Sequence, residues 1–418
     1  MMKNKDNANS TSFLSTKNQQ ILRKQVIDDD GPGTVLHDFE KILDFIGPDG
    51  VGVSGKYNFF PLKLLPQLNA QMKHPIAIDL KRPVQKSYPH INGLYLVLRA
   101  SGIVMIEGLG SKQTMVIDKA VLQSWQTLNP VERYFTLFES WMVKGNPEII
   151  GEHAGFVDTP FTTWVQFFKR IPKKGLKVAG DKEEETLIIY FPGLYTLALL
   201  DLFGLVTLQH AEPEKGKGWR IARVNRTPLG DALLALMTHY FTSEDYYHNK
   251  FSGEDELLLS SLQSILQPFF PKRRNRLVIP EAEFQDGIHV FKVSLGRIWR
   301  RIAIPAKMVL DTFSSSILDA FDFDYDHLYM FSYRNRFGML EHINHPYADE
   351  PPYASEVLIG ELSLKPGTAM RYLYDFGDNW EFAVKLECID PADETIKGPV
   401  MLESHGEAPE QYPEWDEY

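Results

Sequence analysis

Tyr374-Asp375-Phe376-Gly377-Asp378-Asn379-Trp380 decides how the last third of this chain is read. After it, Trp380, Phe382, Val384, Leu386 and Cys388 share one side, and Glu381, Lys385 and Glu387 share the other. That period of two is a one-sided antiparallel strand. Inside the heptapeptide, aspartate with glycine favours a tight turn, because a short carboxylate bonds its own backbone. Further back, Asp326-His327-Leu328-Tyr329 leads into an alternating stretch that ends at Tyr333. Leu310, Phe313, Ile317, Leu318 and Phe321 recur at helical spacing, and Phe291, Val293 and Leu295 alternate as another strand. Residues 283–418 are therefore expected to form an α+β domain with an antiparallel sheet.

Four motifs occur in order along this domain: Ile298-Trp299-Arg300-Arg301-Ile302 with Pro305, Asp326-His327-Leu328, Tyr374 to Trp380, and Gly406-Glu407-Ala408-Pro409-Glu410-Gln411-Tyr412-Pro413. Together they resemble the plasmid pRiA4b ORF-3-like family. Gly33 to Trp141 is similar to the region that accompanies this domain in longer members. Many relatives carry histidine two positions after the motif tryptophan, where this chain has Phe382. A role that needs that imidazole, as metal ligand or base, fails here. The resemblance implies an association with plasmids and mobile elements and carries over no reaction.

Upstream, Pro268-Phe269-Phe270-Pro271-Lys272-Arg273-Arg274-Asn275-Arg276 combines two prolines with a basic cluster, so residues 268–282 read as a linker. Before it the chain is mainly helical and weakly repeated. Gly93-Leu94-Tyr95 opens an apolar helix, followed by a strand, a glycine-containing turn at Leu109 to Lys112, a second strand, and a helix started by Asn129-Pro130. Gly193-Leu194-Tyr195 begins the same order again, with a turn at Glu214 to Gly218 and a helix started by Thr227-Pro228. Asn or Thr caps such a helix while proline takes its first position. The order predicts winged-helix-like units in residues 34–145 and 146–267. Residues 1–33, polar at their start, are expected to be a disordered tail.

The composition, 44% hydrophobic and 24% charged, is that of a globular chain of more than one domain. Cys388 stands alone, which excludes a disulfide framework and a cysteine-based zinc cluster and fits the cytoplasm. The apolar stretch Leu194 to Leu208 is interrupted by Asp201 and Gly204, so no membrane partner is expected.

In the family motifs, Trp299, Arg300, Arg301, His327, Tyr374, Asp375, Asp378 and Trp380 outline a polar cleft. The two arginines are the expected partners of Asp375 and Asp378, giving a charge-paired corner. The competing reading makes the two aspartates a metal site for a metal-dependent enzyme. No catalytic residue, metal ligand or cofactor is assigned. Net charge is −11, yet Lys215, Lys217, Arg220, Arg223 and Arg226 surround the second hairpin, where they could lie along the phosphates of double-stranded DNA. Lys169, Arg170, Lys173, Lys174 and Lys177 form a second basic patch and Lys272 to Arg276 a third. The leading expectation is a non-enzymatic accessory protein with a binding role tied to DNA or mobile elements. The alternative is a protein–protein scaffold without nucleic-acid contact. The acidic tail after Leu402 is expected to be solvated, with Tyr412 and Trp415 pinning it to the domain.

Overall fold

The structure, a computed structural model, describes residues 13–108, 113–152, 159–244, 246, 248, 255–281, 283–362 and 364–412. The described parts of residues 1–105 and 115–279 make one compact unit, and those of residues 106–114 and 280–418 a second. The fold class is α+β.

The first unit repeats one order of elements. Helix Val35–Ile46 is followed by β1 (Val51–Gly52), helix Leu65–Gln71, helix Pro89–Ser101 and the strands β2 (Val104–Glu107) and β3 (Thr114–Ile117). Helix Pro160–Arg170 is followed by β4 (Leu176–Lys177), helix Lys182–Ile188, helix Leu194–Leu202 and the strands β5 (Val206–His210) and β6 (Ile221–Arg226). The sheets have matching orders, β1-β3-β2 and β4-β6-β5. The first long apolar helix starts at Pro89, four residues before the expected Gly93, while Gly193 does precede its helix. The stretch Lys182–Leu202 is long and apolar enough to cross a membrane by length and composition alone. It breaks at Phe191, whose backbone is extended, and Leu197, Leu199 and Leu200 beyond the break are buried in this unit.

The caps follow the sequence. Asn129 Oδ1 accepts from the amides of Val131 and Glu132, and Thr227 Oγ1 accepts from Gly230. Helix Pro130–Met142 then buries its whole aromatic stripe, with Tyr134 donating to the Phe203 carbonyl at 2.7 Å. Helices Pro89–Ser101 and Leu194–Leu202 pack against each other. All thirteen residues of the first are buried, and a Cβ at Gly93 would lie 2.8 Å from Leu199 Cγ.

Two expectations are corrected. The supposed tail holds helix Thr16–Lys24, capped by Ser15, with Leu14, Leu22 and Ile27 buried; residues 1–12 lie outside the described residues. Three well-spaced apolar side chains are enough to dock an otherwise polar segment. The supposed linker is also docked in its basic part. Arg273 is buried in an ion pair with Glu139, and the amides of Arg274 and Asn275 donate to Glu132 Oε1 at 3.0 and 2.7 Å. Burial raises the Glu139 carboxyl above the usual carboxylate range, against the pull of Arg273. Lys272 to Arg276 is thus not a free basic patch. The expected turn at Leu109 to Lys112 falls outside the described residues.

The second unit is built on one antiparallel sheet of seven strands. These are β7 (Ile288–Leu295), β8 (Ile298–Pro305), β9 (Tyr329–Arg334), β10 (Leu340–Asn344), β11 (Ala369–Tyr374), β12 (Trp380–Asp390) and β13 (Val400–His405), in the order β10-β9-β11-β12-β7-β8-β13. Phe291, Val293, Ile302, Phe331, Tyr372, Phe382 and Val384 form its core with Phe313, Ile317 and Phe321 of helix Leu310–Phe321. On the opposite face Arg301 pairs with Glu387 and Glu403, and Arg371 with Glu381.

Arg273→Met should destabilise the first unit by about 3–5 kcal/mol in urea unfolding, because it leaves Glu139 buried without a counter-charge. Lys272→Met, at an exposed neighbour, should be near neutral, and adding Glu139→Gln to Arg273→Met should recover part of the loss. A second expectation concerns pH. Burial, with His210 nearby, lowers the pKa of His90 to about 3. The ring is neutral in both states above its unfolded value, so this contribution to stability is intact there. It is lost progressively as pH falls from about 6.5 toward about 3, by about 1.4 kcal/mol per pH unit. His90→Phe should flatten that slope in unfolding measurements between pH 6.5 and 4.5.

Candidate functional site

The heptapeptide is the β11–β12 hairpin loop. Tyr374 and Trp380 face each other in the last register pair, and Asp375 and Asn379 both take left-handed backbone angles, φ 55° and 57°. Such angles suit Asp and Asn, whose short polar groups bond locally. Asp375 Oδ1 accepts from the Gly377 amide at 2.8 Å, and its carbonyl accepts from the Asn379 amide at 2.7 Å. The Asp375 amide donates to the Leu328 carbonyl, which ties the loop to the segment before β9.

A polar cluster assembles on that tie. His327 Nε2 lies 3.5 Å from Asp375 Oδ2, 3.6 Å from Asp326 Oδ1 and 3.1 Å from the Tyr412 hydroxyl. That hydroxyl lies 3.0 and 3.1 Å from the two Asp326 oxygens and accepts from Gln411 Nε2 at 2.8 Å. The Tyr374 hydroxyl donates to the Asp324 carbonyl, and Gln411 Oε1 accepts from the Asp324 amide at 2.6 Å. Partial desolvation works against the Asp326 carboxylate, yet the bond from Tyr412 and neighbouring donors hold its pKa below the usual range. Desolvation, with Asp326 beside it, pushes the Tyr412 phenol up to about 12. Burial likewise raises Tyr374. At neutral pH the cluster therefore offers a fixed carboxylate and protonated phenols. Tyr412 does pin the C-terminal segment; Trp415 lies outside the described residues.

The arginine pairing is a correction. Arg300 is buried and donates to carbonyls of Ala320, Trp299, His405 and Gly406, at 2.7 to 3.2 Å. It brackets the end of helix Leu310–Phe321 to the edge of the sheet. Arg301, on the opposite face, pairs with Glu387 and Glu403, and Trp299 stacks on His405 with Lys292 over its ring at 4.1 Å. Asp378 is exposed and makes no hydrogen bond or ion pair among the described residues. His327, Tyr374 and Asp375 thus come together, with Trp380 at the base of the hairpin, while Trp299, Arg300, Arg301 and Asp378 do not join them. Asp326, Gln411 and Tyr412 were missed as site residues although two motifs contain them. Phe382 is wholly buried against Phe321 and Tyr372. Among the described residues, no group of three or more His, Cys, Asp or Glu is arranged to hold a metal ion.

The hairpin cations are largely neutralised. Lys217 pairs with Glu214 at 2.8 Å, Arg220 with Glu185 and Glu214, and Arg226 with Asp231. Arg223 donates to the Lys174 carbonyl, and Lys215 is exposed. By contrast, Lys169, Lys173, Lys174 and Lys177 are all exposed and make no ion pair among the described residues. Lys177 faces Arg223 across β4 and β6. In the second patch Arg170 is engaged by Glu184.

Residues 288–412 match the family model of the plasmid pRiA4b ORF-3-like protein. Over 114 residues the chain is 32% identical to the uncharacterized protein y4hQ of Sinorhizobium fredii (strain NBRC 101917 / NGR234), a match that takes in 27% of this chain and 57% of that protein. The chain therefore spans little more than half the length of this curated relative. A crystal structure of a protein of unknown function, MM3350 from Methanosarcina mazei Go1, is 27% identical, with a TM-score of 0.28, over 30% of this chain and 72% of that one.

Arg300→Ala should cost more stability than Arg301→Ala. The first leaves buried carbonyls without donors, at about 1–3 kcal/mol, whereas the second removes ion pairs screened by water, which contribute little. Urea unfolding of the two variants side by side measures the difference.

Proposed function

We propose that the chain is a non-enzymatic accessory protein that contacts the phosphates of double-stranded DNA through its first unit. The helix–strand–helix–helix–hairpin order, with sheets ordered first-third-second, supports reading both repeats as winged helices. In that reading helices Pro89–Ser101 and Leu194–Leu202 occupy the place from which such domains usually enter the major groove. Here they pack on each other, so contact is with the backbone and carries little base readout.

One observation carries the proposal. Lys169, Lys173, Lys174 and Lys177 make no ion pair among the described residues, with Lys177 facing Arg223, while Lys217, Arg220 and Arg226 of the hairpin are engaged by carboxylates. An unpaired cation can release a condensed counterion from DNA; a cation already held by Glu gains much less. Residues 280–418 hold 26 Asp and Glu against 11 Lys and Arg, and the remainder holds 29 against 33, so the acidity of the chain resides in the other unit.

A second reading, a protein–protein scaffold, draws on the burial of both of those helices, which removes the usual groove-reading surface. A partner that co-purifies after nuclease treatment, with no DNA affinity, would favour it.

Fluorescence anisotropy with a duplex at varied salt tests the proposal. Replacing Lys169, Lys173, Lys174 and Lys177 by Glu should lower affinity at least about tenfold and flatten the salt slope by about 3 to 4. Lys217→Glu should change affinity less. No binding at low salt, or an unchanged slope in the fourfold variant, overturns it.

A further inference from the structure

We infer that the β11–β12 corner of the second unit is a docking surface for a cationic segment of a partner protein, one rich in Arg or Lys. Three large aromatic side chains stand out there: Tyr325, Phe376 and Tyr412 expose 58%, 50% and 47% of their surface. They belong to one corner, since Tyr325 adjoins Asp326, Phe376 adjoins Asp375, and Tyr412 bonds Asp326. Aromatic faces open to water beside carboxylates suit guanidinium and ammonium groups, which gain from the ring quadrupole as well as from the charge.

The carboxylates point to the same occupant. Asp326, Asp375 and Asp378 have no Lys or Arg partner among the described residues. Elsewhere on the sheet Glu381, Glu387 and Glu403 are each met by an arginine. The corner thus sets three carboxylates that no described Lys or Arg meets beside exposed aromatic surface, in a unit whose residues 280–418 hold 26 acidic and 11 basic side chains. Tyr412, itself held by Gln411, fixes the orientation of Asp326. A cation arriving there finds a carboxylate already oriented, which lowers the ordering cost of binding. Polyanions are repelled by the same charges, so this surface is separate from the phosphate contacts of the first unit.

The test uses the full chain and fluorescein-labelled octa-arginine, read by anisotropy at fixed salt. Asp326→Asn with Asp378→Asn should weaken binding at least about fivefold, and Phe376→Ala, at an exposed ring, should weaken it about threefold or more. Asp393→Asn with Glu394→Gln, which removes the same charge from an exposed loop, should stay within about twofold, and octa-glutamate should not bind. Duplex affinity should be unchanged in all of these variants. Absent octa-arginine binding, equal losses in both charge pairs, or no effect of Phe376→Ala would overturn the inference. Asp378→Asn alone, at a side chain without partners, repeats the measurement free of any folding effect, and should still weaken binding.

Discussion

The first unit depends on how closely two helices meet. At Gly93 there is no room for a side chain, because Leu199 of the opposing helix fills the space a Cβ would take. That contact lets helices Pro89–Ser101 and Leu194–Leu202 bury each other, and the apolar character of both follows from being covered on most sides. It also decides what the repeats can present to other molecules. These two helices are spent on each other, so the hairpins, the β4–β6 face and the loop cations remain at the surface.

The second unit follows a different economy of contacts. Its sheet has one face filled by aromatic rings around helix Leu310–Phe321, and an opposite face crossed by Arg–Glu pairs, with a small buried cluster of Ile288, Val290 and Ala303. Arg300 lies on the aromatic face, in register with Val293 and with its guanidinium 4.8 Å from the Phe321 ring centre. It satisfies backbone carbonyls where the helix end, β8 and the strand edge would otherwise leave acceptors buried. The family motif around it is thus explained by closure of the fold, whereas the motifs at Asp326, Tyr374 and Gln411-Tyr412 meet in one polar cluster. Motifs that look alike in a sequence have separated into a structural bracket and a surface.

Much of this was legible in the residues themselves. Alternation gave the strands around Phe291 and Phe382, and Asn129-Pro130 and Thr227-Pro228 marked helix starts that the caps bear out. Helix Thr16–Lys24 was hidden because its docking rests on three apolar residues in a polar stretch. Arg273 misled for the opposite reason: a basic cluster suggests solvent, and only the distant Glu139 makes burial affordable. The partners of Arg301 depend on β8 lying between β7 and β13, a long-range register that no local pattern encodes. The hairpin cations were visible as residues, but Glu185, which neutralises Arg220, comes from a helix 35 positions away.

Glu132 has a consequence for how the chain is made. Its carboxylate collects donors from Arg274 and Asn275, some 142 and 143 positions along the chain, and its neighbour Glu139 waits for Arg273. A ribosome therefore releases both repeats before the groups that neutralise helix Pro130–Met142 have emerged. Until then Glu132, in the first turn of that helix, and Glu139, near its end, lack their final partners, which opposes burial of the helix. The first unit is completed late and at once, by a closing segment, rather than repeat by repeat as each leaves the tunnel.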